Sequence, residues 1–170
     1  MTLEYKSLGL MSGTSGDGVD ASIIQSDGET RYNIIYNKYF QYNSNIFEKI
    51  HLLKDKILNS KDLKNTHNEL QILEREITIF HAKVSQEVIQ DSKQNIDLVG
   101  FHGQTIFHNS IEKISKQLGD AKLLYEFLKK PIIYNFRKND LTNGGEGAPL
   151  APIFHRLIVE RHKIKLPLCI

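Results

Sequence analysis

The stretch Gly9-Leu-Met-Ser-Gly-Thr-Ser-Gly-Asp-Gly-Val-Asp-Ala-Ser22 decides how this chain is read. Residues 7–11 are a short apolar run that ends in Gly13-Thr-Ser-Gly-Asp-Gly18, after which Val19, Ala21 and Ile23 resume on one face. That period of two is the mark of a half-buried strand, so the glycine turn joins strand to strand. The order excludes two familiar phosphate loops. A Walker A loop carries Gly-Lys-Ser/Thr ahead of a helix, and the dinucleotide fingerprint also opens a helix. A tight turn of small and hydroxyl residues can still aim backbone N–H groups at phosphate oxygens as an anion-binding nest. Taken alone it is equally a plain hairpin turn. Asp17 and Asp20 add carboxylates that could reach Mg²⁺, directly or through water, although turn hydrogen bonding is the reading these residues favour.

Working outward, Arg31–Phe40 is rich in Tyr and Ile and predicts a third strand, so the chain opens as an antiparallel βββ meander. The period then changes. Ile46, Ile50, Leu53 and Ile57 form a helical stripe that Asn59-Ser60 interrupts, and a longer stripe follows through Leu70, Leu73, Ile77, Phe80, Val84 and Val88. Both read as core faces. Ile96–Phe101 predicts a compact strand leading into His102-Gly-Gln-Thr105. Asp120 is placed to cap a helix through Lys130, which Pro131 ends before the strand Ile132–Tyr134. Pro149 predicts the start of a last helix up to Lys163, and Leu166–Ile170 is apolar and β-like. The order βββ-α-α-β-α-β-α-β is an α/β arrangement with a mixed sheet flanked by helices.

Composition narrows the function classes. The 22 Lys+Arg and 20 Asp+Glu are scattered, which gives no basic patch for nucleic acid or a membrane surface. The single cysteine, Cys169, excludes a disulfide framework and a cysteine-rich metal site. No stretch approaches the roughly 18 apolar residues of a membrane span, and the first residues lack the apolar core of a signal peptide. A soluble, reducing, cytoplasmic setting is expected. Nine of the 11 glycines fall in four short stretches: 13–18, 100–103, 119 and 144–147. Glycine is selected where backbone takes positive φ or approaches a ligand, so these stretches are where chemistry is sought.

Two of them carry more than glycine. His102, Gln104 and Thr105 offer a ring nitrogen, an amide and a hydroxyl suited to hydrogen-bonding a polyol, at the end of a strand where α/β proteins gather ligands. His102 equally fits a structural histidine, and His108 reads as one. In Phe136-Arg-Lys-Asn-Asp140 followed by Gly144-Gly-Glu-Gly147, a carboxylate before a glycine turn can act as general base on a hydroxyl or water. Arg137 can pair with an anionic group bidentately. The plain alternatives are an Asp capping a turn and an Arg in a surface ion pair.

Together "GLMSGTSGDGVDAS", "VGFHGQTIFH", "QLGD" and "NFRKNDLTNGGEGAPLAPIFH" resemble, in order and spacing, the motifs of the anhydro-N-acetylmuramic acid kinases, over nearly the whole chain. The resemblance implies the N-terminal domain of a sugar kinase, Hsp70 and actin-like fold, with ATP and sugar in a cleft between two domains. It implies an ATP-dependent reaction that opens the 1,6-anhydro ring with water and phosphorylates O6, giving N-acetylmuramate 6-phosphate and ADP in cell-wall recycling. On that match Gly13, Thr14, Ser15, Gly16, Asp17, Gly18, Val19 and Asp20 form the phosphate-facing ATP loop, with Asp17 toward Mg²⁺. His102, Gln104, Thr105 and Arg137 line the sugar site, and Asp140 is the base that activates water.

The chain departs from the family pattern in three places. Gly16 stands where the family usually has Leu, which implies a looser loop. Asn135 replaces the usual Asp before Phe136. The sequence stops at Leu166–Ile170, where an Asn-Ile-Gly-Gly loop would open the second domain. Residues 1–165 are therefore read as one domain holding the phosphate loop and sugar site, and residues 166–170 as the start of a second. The expectation is the N-terminal half of a kinase, weak or inactive alone, which a separately encoded C-terminal half would complete. The alternative is a non-catalytic sugar-binding remnant.

Overall fold

The strand–turn–strand reading of residues 7–24 is what the protein forms. A computed structural model describes residues 3–165. Strands β1 (Tyr5–Ser12), β2 (Gly18–Ser26) and β3 (Tyr32–Gln41) make an antiparallel meander. Leu8, Leu10 and Ser12 are buried while Gly9 and Met11 are exposed, so one face of β1 meets the core. Helices α1 (Ser44–Lys56), α2 (Asp62–Asn65) and α3 (His67–Ser92) follow. Asn43 caps α1 by accepting from the Ile46 N–H at 2.9 Å. The predicted apolar stripes of α1 and α3 are the core faces: Ile50, Ile77 and Val88 are fully buried against the sheet.

The sheet then grows on the other side of β1. Strand β4 (Leu98–Asn109) runs parallel to β1, β5 (Ile114–Leu118) returns antiparallel to the far half of β4, and β6 (Ile132–Tyr134) lies parallel to its near half. The strand order is β3-β2-β1-β4-β5, with β6 beside β4. Between β5 and β6 lies α4 (Ala121–Leu128), where Asp120 accepts from the N–H groups of Lys122 and Leu123 at 2.9 and 3.0 Å. Helices α5 (Phe136–Thr142) and α6 (Pro152–His162) complete the described chain. This is the mixed α/β sheet flanked by helices that the sequence predicts.

Four details differ from the sequence expectation. The strand expected to stop at Phe101 continues to Asn109 and turns back as a hairpin. The turn is closed by Asn109 Oδ1, which accepts from the N–H groups of Ile111 and Glu112. Residues 136–142, for which the sequence predicts no element, form a helix. Helix α4 ends at Leu128 because Lys129 adopts the left-handed conformation (φ 51°) ahead of Pro131. The last helix starts at Pro152, whose ring suits a first helical turn, three residues later than Pro149. The apolar stretch Leu166–Ile170, expected to open a second domain, lies outside the described residues.

The register of β4 positions the site. Leu10 pairs with Phe101 and Ser12 with Gln104, so two steps along β1 match three along β4. The extra residue is a bulge at His102-Gly103. Val99 and Phe101 face the α1/α3 core before it, Gln104 and Ile106 after it, and His102 is left on the opposite side. Gly103 has φ +71°, and a Cβ there would come 2.4 Å from the Leu118 carbonyl oxygen. Only glycine fits that crossing without displacing backbone.

Candidate active site

Three segments named by the sequence come together around β4, in two groups. The first is the β1–β2 turn. Gly16 N–H donates to the Gly13 carbonyl at 3.2 Å, closing the turn, and Ser15 Oγ donates to Asp17 Oδ1 at 2.5 Å. The Ser15 hydroxyl, with a smaller contribution from that of Tyr39, holds the exposed Asp17 carboxyl below its ordinary range. Gly16 is buried against Ile50 of α1, so the loop is tighter here than its sequence implied.

Beneath this turn lies a buried polar cluster. Gln104 and Ser12 are fully buried and Tyr42 nearly so. Gln104 Nε2 donates to the Gly13 carbonyl at 2.7 Å, and its Oε1 accepts from Ser12 Oγ at 2.5 Å. The Tyr42 N–H donates to the Asp17 carbonyl at 2.8 Å, and its hydroxyl meets Ser12 Oγ at 2.9 Å. Lys54 of α1 donates to the Thr14 carbonyl. The amide of Gln104 is thus turned to the glycine loop, on the other side of β4 from His102. Tyr42, Lys54 and Ser12 went unnoticed in the sequence. Their signal was weak: a tyrosine after a strand, a lysine in an ordinary helix and a serine at a strand end.

The second group lies between β4 and α5. Arg137 Nε donates to His102 Nε2 at 2.9 Å, and its NH1 donates to the Gly147 carbonyl at 2.9 Å. Because His102 Nε2 accepts, Nδ1 carries the proton and donates to the Gly103 carbonyl at 2.7 Å. Burial lowers the His102 pKa, and the Arg137 charge lowers it further, so the ring is neutral at neutral pH. Asp140 sits one helical turn after Arg137. Its Oδ2 accepts from the Gly147 N–H at 2.7 Å, and its carbonyl accepts from the Gly145 N–H at 2.9 Å. Gly147 therefore links the guanidinium, through its carbonyl, to the carboxylate, through its N–H. Lys113 steadies the same loop from the β4–β5 turn by donating to the Gly145 carbonyl at 2.7 Å.

Asp140 lines an open cleft of about 750 Å³ with Tyr134, Phe136, Asn139, Asn143 and Leu150. That volume accommodates a sugar. Among the described residues Asp140 Oδ1 receives no hydrogen bond, which leaves it for a proton donor in the cleft. His102 and Arg137 instead line a separate recess of about 20 Å³. Both ring nitrogens of His102 are engaged, whereas among the described residues only two of the five Arg137 N–H groups are. Thr105 is buried with its hydroxyl unpartnered among the described residues. No cluster of three or more His, Cys, Asp or Glu side chains suited to a metal occurs among the described residues. Nor is any helix there long and apolar enough to cross a membrane.

Comparison with known proteins gives one consistent result. The family model for anhydro-N-acetylmuramic acid kinase matches residues 5–167. A Pelagibacter ubique relative described as anhydro-N-acetylmuramic acid kinase is 58% identical over 166 residues, 98% of this chain and 44% of the relative. A Rhodopseudomonas palustris relative with the same description is 38% identical over 90% of the chain and 42% of its own length. One from Gluconobacter oxydans is 36% identical over 91% and 42% respectively. The chain spans less than half the length of these relatives.

Proposed function

This chain belongs to the anhydro-N-acetylmuramic acid kinase family, and from that premise we propose that it supplies the sugar side and one phosphate loop of a cytoplasmic, ATP-dependent kinase acting on 1,6-anhydro-N-acetylmuramic acid in cell-wall recycling. The rest of the relatives' length, on this polypeptide or another, completes the nucleotide site. The reaction adds water at C1, breaks the C1–O6 bond and transfers the γ-phosphoryl group to O6. The products are N-acetylmuramate 6-phosphate and ADP.

The observation that carries this reading is Asp140. Its carboxylate is fixed by the Gly147 N–H and borders a sugar-sized cleft, with one oxygen left over. In the proposed reaction that oxygen takes a proton from the attacking water, and the Gly147 contact keeps its position through the step. Arg137 retains N–H groups for the carboxylate of the muramic acid, and His102 orients Arg137 as a neutral acceptor. Gln104 and Thr105 support the same strand from its buried face. Bound ATP with Mg²⁺ supplies the phosphoryl group and neutralises its charge.

The residues present fit a magnesium–phosphate ligand loosely. Thr14 and Ser15 are exposed, and their N–H groups find no acceptor among the described residues. Asp17 offers one ionised carboxylate, in keeping with a cation held mainly by phosphate and water. Val19 and Asp20 begin the strand that backs the loop. The test is ADP formation from ATP with the anhydro sugar, with and without a polypeptide spanning the remaining length of a relative. Sugar-dependent ADP that requires Asp140 supports the reading, and its absence in the completed assembly refutes it. Calorimetry with the sugar alone separates the alternative, a module that binds without transfer.

A further inference from the structure

Three carbonyl groups of the glycine loop are captured from within the protein. Gly13 C=O accepts from Gln104 Nε2, Thr14 C=O from Lys54 and Asp17 C=O from the Tyr42 N–H. A trans peptide unit is planar, with its C=O and the following N–H on opposite sides. Fixing the Gly13 carbonyl inward therefore turns the Thr14 N–H outward, and fixing the Thr14 carbonyl does the same for the Ser15 N–H. Neither of these two N–H groups has an acceptor among the described residues. Gln104 has no freedom to do otherwise. It is fully buried, its Oε1 is held by Ser12 Oγ, and its Nε2 also donates to its neighbour's carbonyl at 3.1 Å.

We propose that Gln104 and Lys54 are positioning residues for a phosphate group: by holding the Gly13 and Thr14 carbonyls they present the Thr14 and Ser15 N–H groups as a preformed oxyanion-binding pair. This rests on the reading of residues 13–20 as a phosphate loop, and it moves Gln104 from the sugar site to the phosphate site. It also ties the two sites together. The bulge at His102-Gly103 carries His102 on one side of β4 and Gln104 on the other, so the strand beside Arg137 also holds the loop.

The test is the chain's ¹H–¹⁵N spectrum during titration with inorganic tripolyphosphate and Mg²⁺, with the anhydro sugar titrated separately. In the wild type the Thr14 and Ser15 amide signals move most with tripolyphosphate. Gln104→Met and Lys54→Met weaken that binding by about tenfold, or about 1.4 kcal/mol, and abolish the selective movement of the two signals. Lys54→Arg, which keeps a donor, retains it. Sugar affinity stays within about twofold in all three variants, because Gln104 lies on the other side of β4 from His102 and Lys54 holds the glycine loop. Wild-type Thr14 and Ser15 signals that stay still would overturn the proposal. So would Met variants whose two signals still move selectively; for Lys54 that result would mean a contribution through charge alone. Should Gln104→Met fail to fold, Lys54→Met decides, because its helix surface tolerates the change. Failure of the kinase reading shows differently: no sugar-dependent ADP, with the amide movements intact.

Discussion

Arg137 and His102, 35 residues apart, share one hydrogen bond whose direction is fixed: the guanidinium Nε donates and the imidazole Nε2 accepts at 2.9 Å. Arginine has no lone pair to offer, so the contact requires the His102 proton on Nδ1, where the Gly103 carbonyl accepts it. A cation beside an imidazole opposes its protonation. Arg137→Met removes that charge and raises the His102 titration midpoint, which ring-carbon NMR would follow. The midpoint remains below the ordinary 6.5 because burial, the larger cause, persists. An unchanged or lower midpoint would mean that the pair is not formed in solution.

Glycine 145 separates positioning from stability. A Cβ there would stand 2.1 Å from Asp140 Oδ2, the end of a side chain that can rotate away. Gly145→Ala lowers stability by less than about 1 kcal/mol, within the range of mild substitutions, yet frees Asp140 from the Gly147 N–H. Turnover of the completed kinase falls with little change in the unfolding midpoint. Gly103→Ala does the reverse to stability, costing about 2 kcal/mol or more through strained backbone and the Leu118 contact. Urea unfolding of the two variants compares them directly.

Buried His81 makes the fold acid-sensitive. It is fully buried in α3, its Nδ1 meets the Ile77 carbonyl at 2.8 Å, and Nε2 has no partner among the described residues. Its pKa is lowered to about 4, mainly by burial, with the neighbouring His102 adding to the effect; the rings of Tyr42 and Phe101 flank it. A base with a depressed native pKa stabilises the fold fully above its unfolded value. Below pH 6.5 the unfolded chain binds a proton that the native state refuses, so stability falls until about pH 4. The gap corresponds to on the order of 3 kcal/mol. His81→Leu flattens this part of the stability profile, measured by urea unfolding between the two pH values. A variant with the same slope as the wild type would remove His81 as its source.

Asp17 is ionised at neutral pH, and the Ser15 hydroxyl holds its carboxyl lower still. Asp17→Asn keeps the turn's shape and removes the charge. In the completed kinase it raises the Mg²⁺ concentration needed for half-maximal rate severalfold and leaves the apparent sugar KM unchanged. An unaltered Mg²⁺ requirement would exclude Asp17 from the metal's surroundings.

Much of this was legible in the sequence because the signals were local. The two-residue period of Val19, Ala21 and Ile23, the helical stripes and the Asp120 cap each need only neighbouring residues, and all are observed. The β4–β5 hairpin was hidden because His102-Gly103 reads as a turn, whereas Gly103 at φ +71° is a bulge inside a continuing strand. Helix α5 was hidden because Phe136-Arg-Lys-Asn-Asp140 is short and polar, and is held by contacts to Gly147 and His102 with Leu141 as its one buried apolar residue. The motifs named Gln104 but not its direction. A bulge decides that direction, and it shows only in the pairing of Ser12 with Gln104.

The path of oxygen through the reaction tests the role of Asp140. The chain, joined by the remaining length of a relative, is given ATP, Mg²⁺ and 1,6-anhydro-N-acetylmuramic acid in ¹⁸O-enriched water, and the product is analysed by mass and ³¹P spectra. The expected product carries one ¹⁸O at C1 and its phosphate on unlabelled O6, and Asp140→Asn forms neither. Sugar-dependent product that Asp140→Asn forms as fast as the wild type, or no such product from the completed kinase, would contradict it.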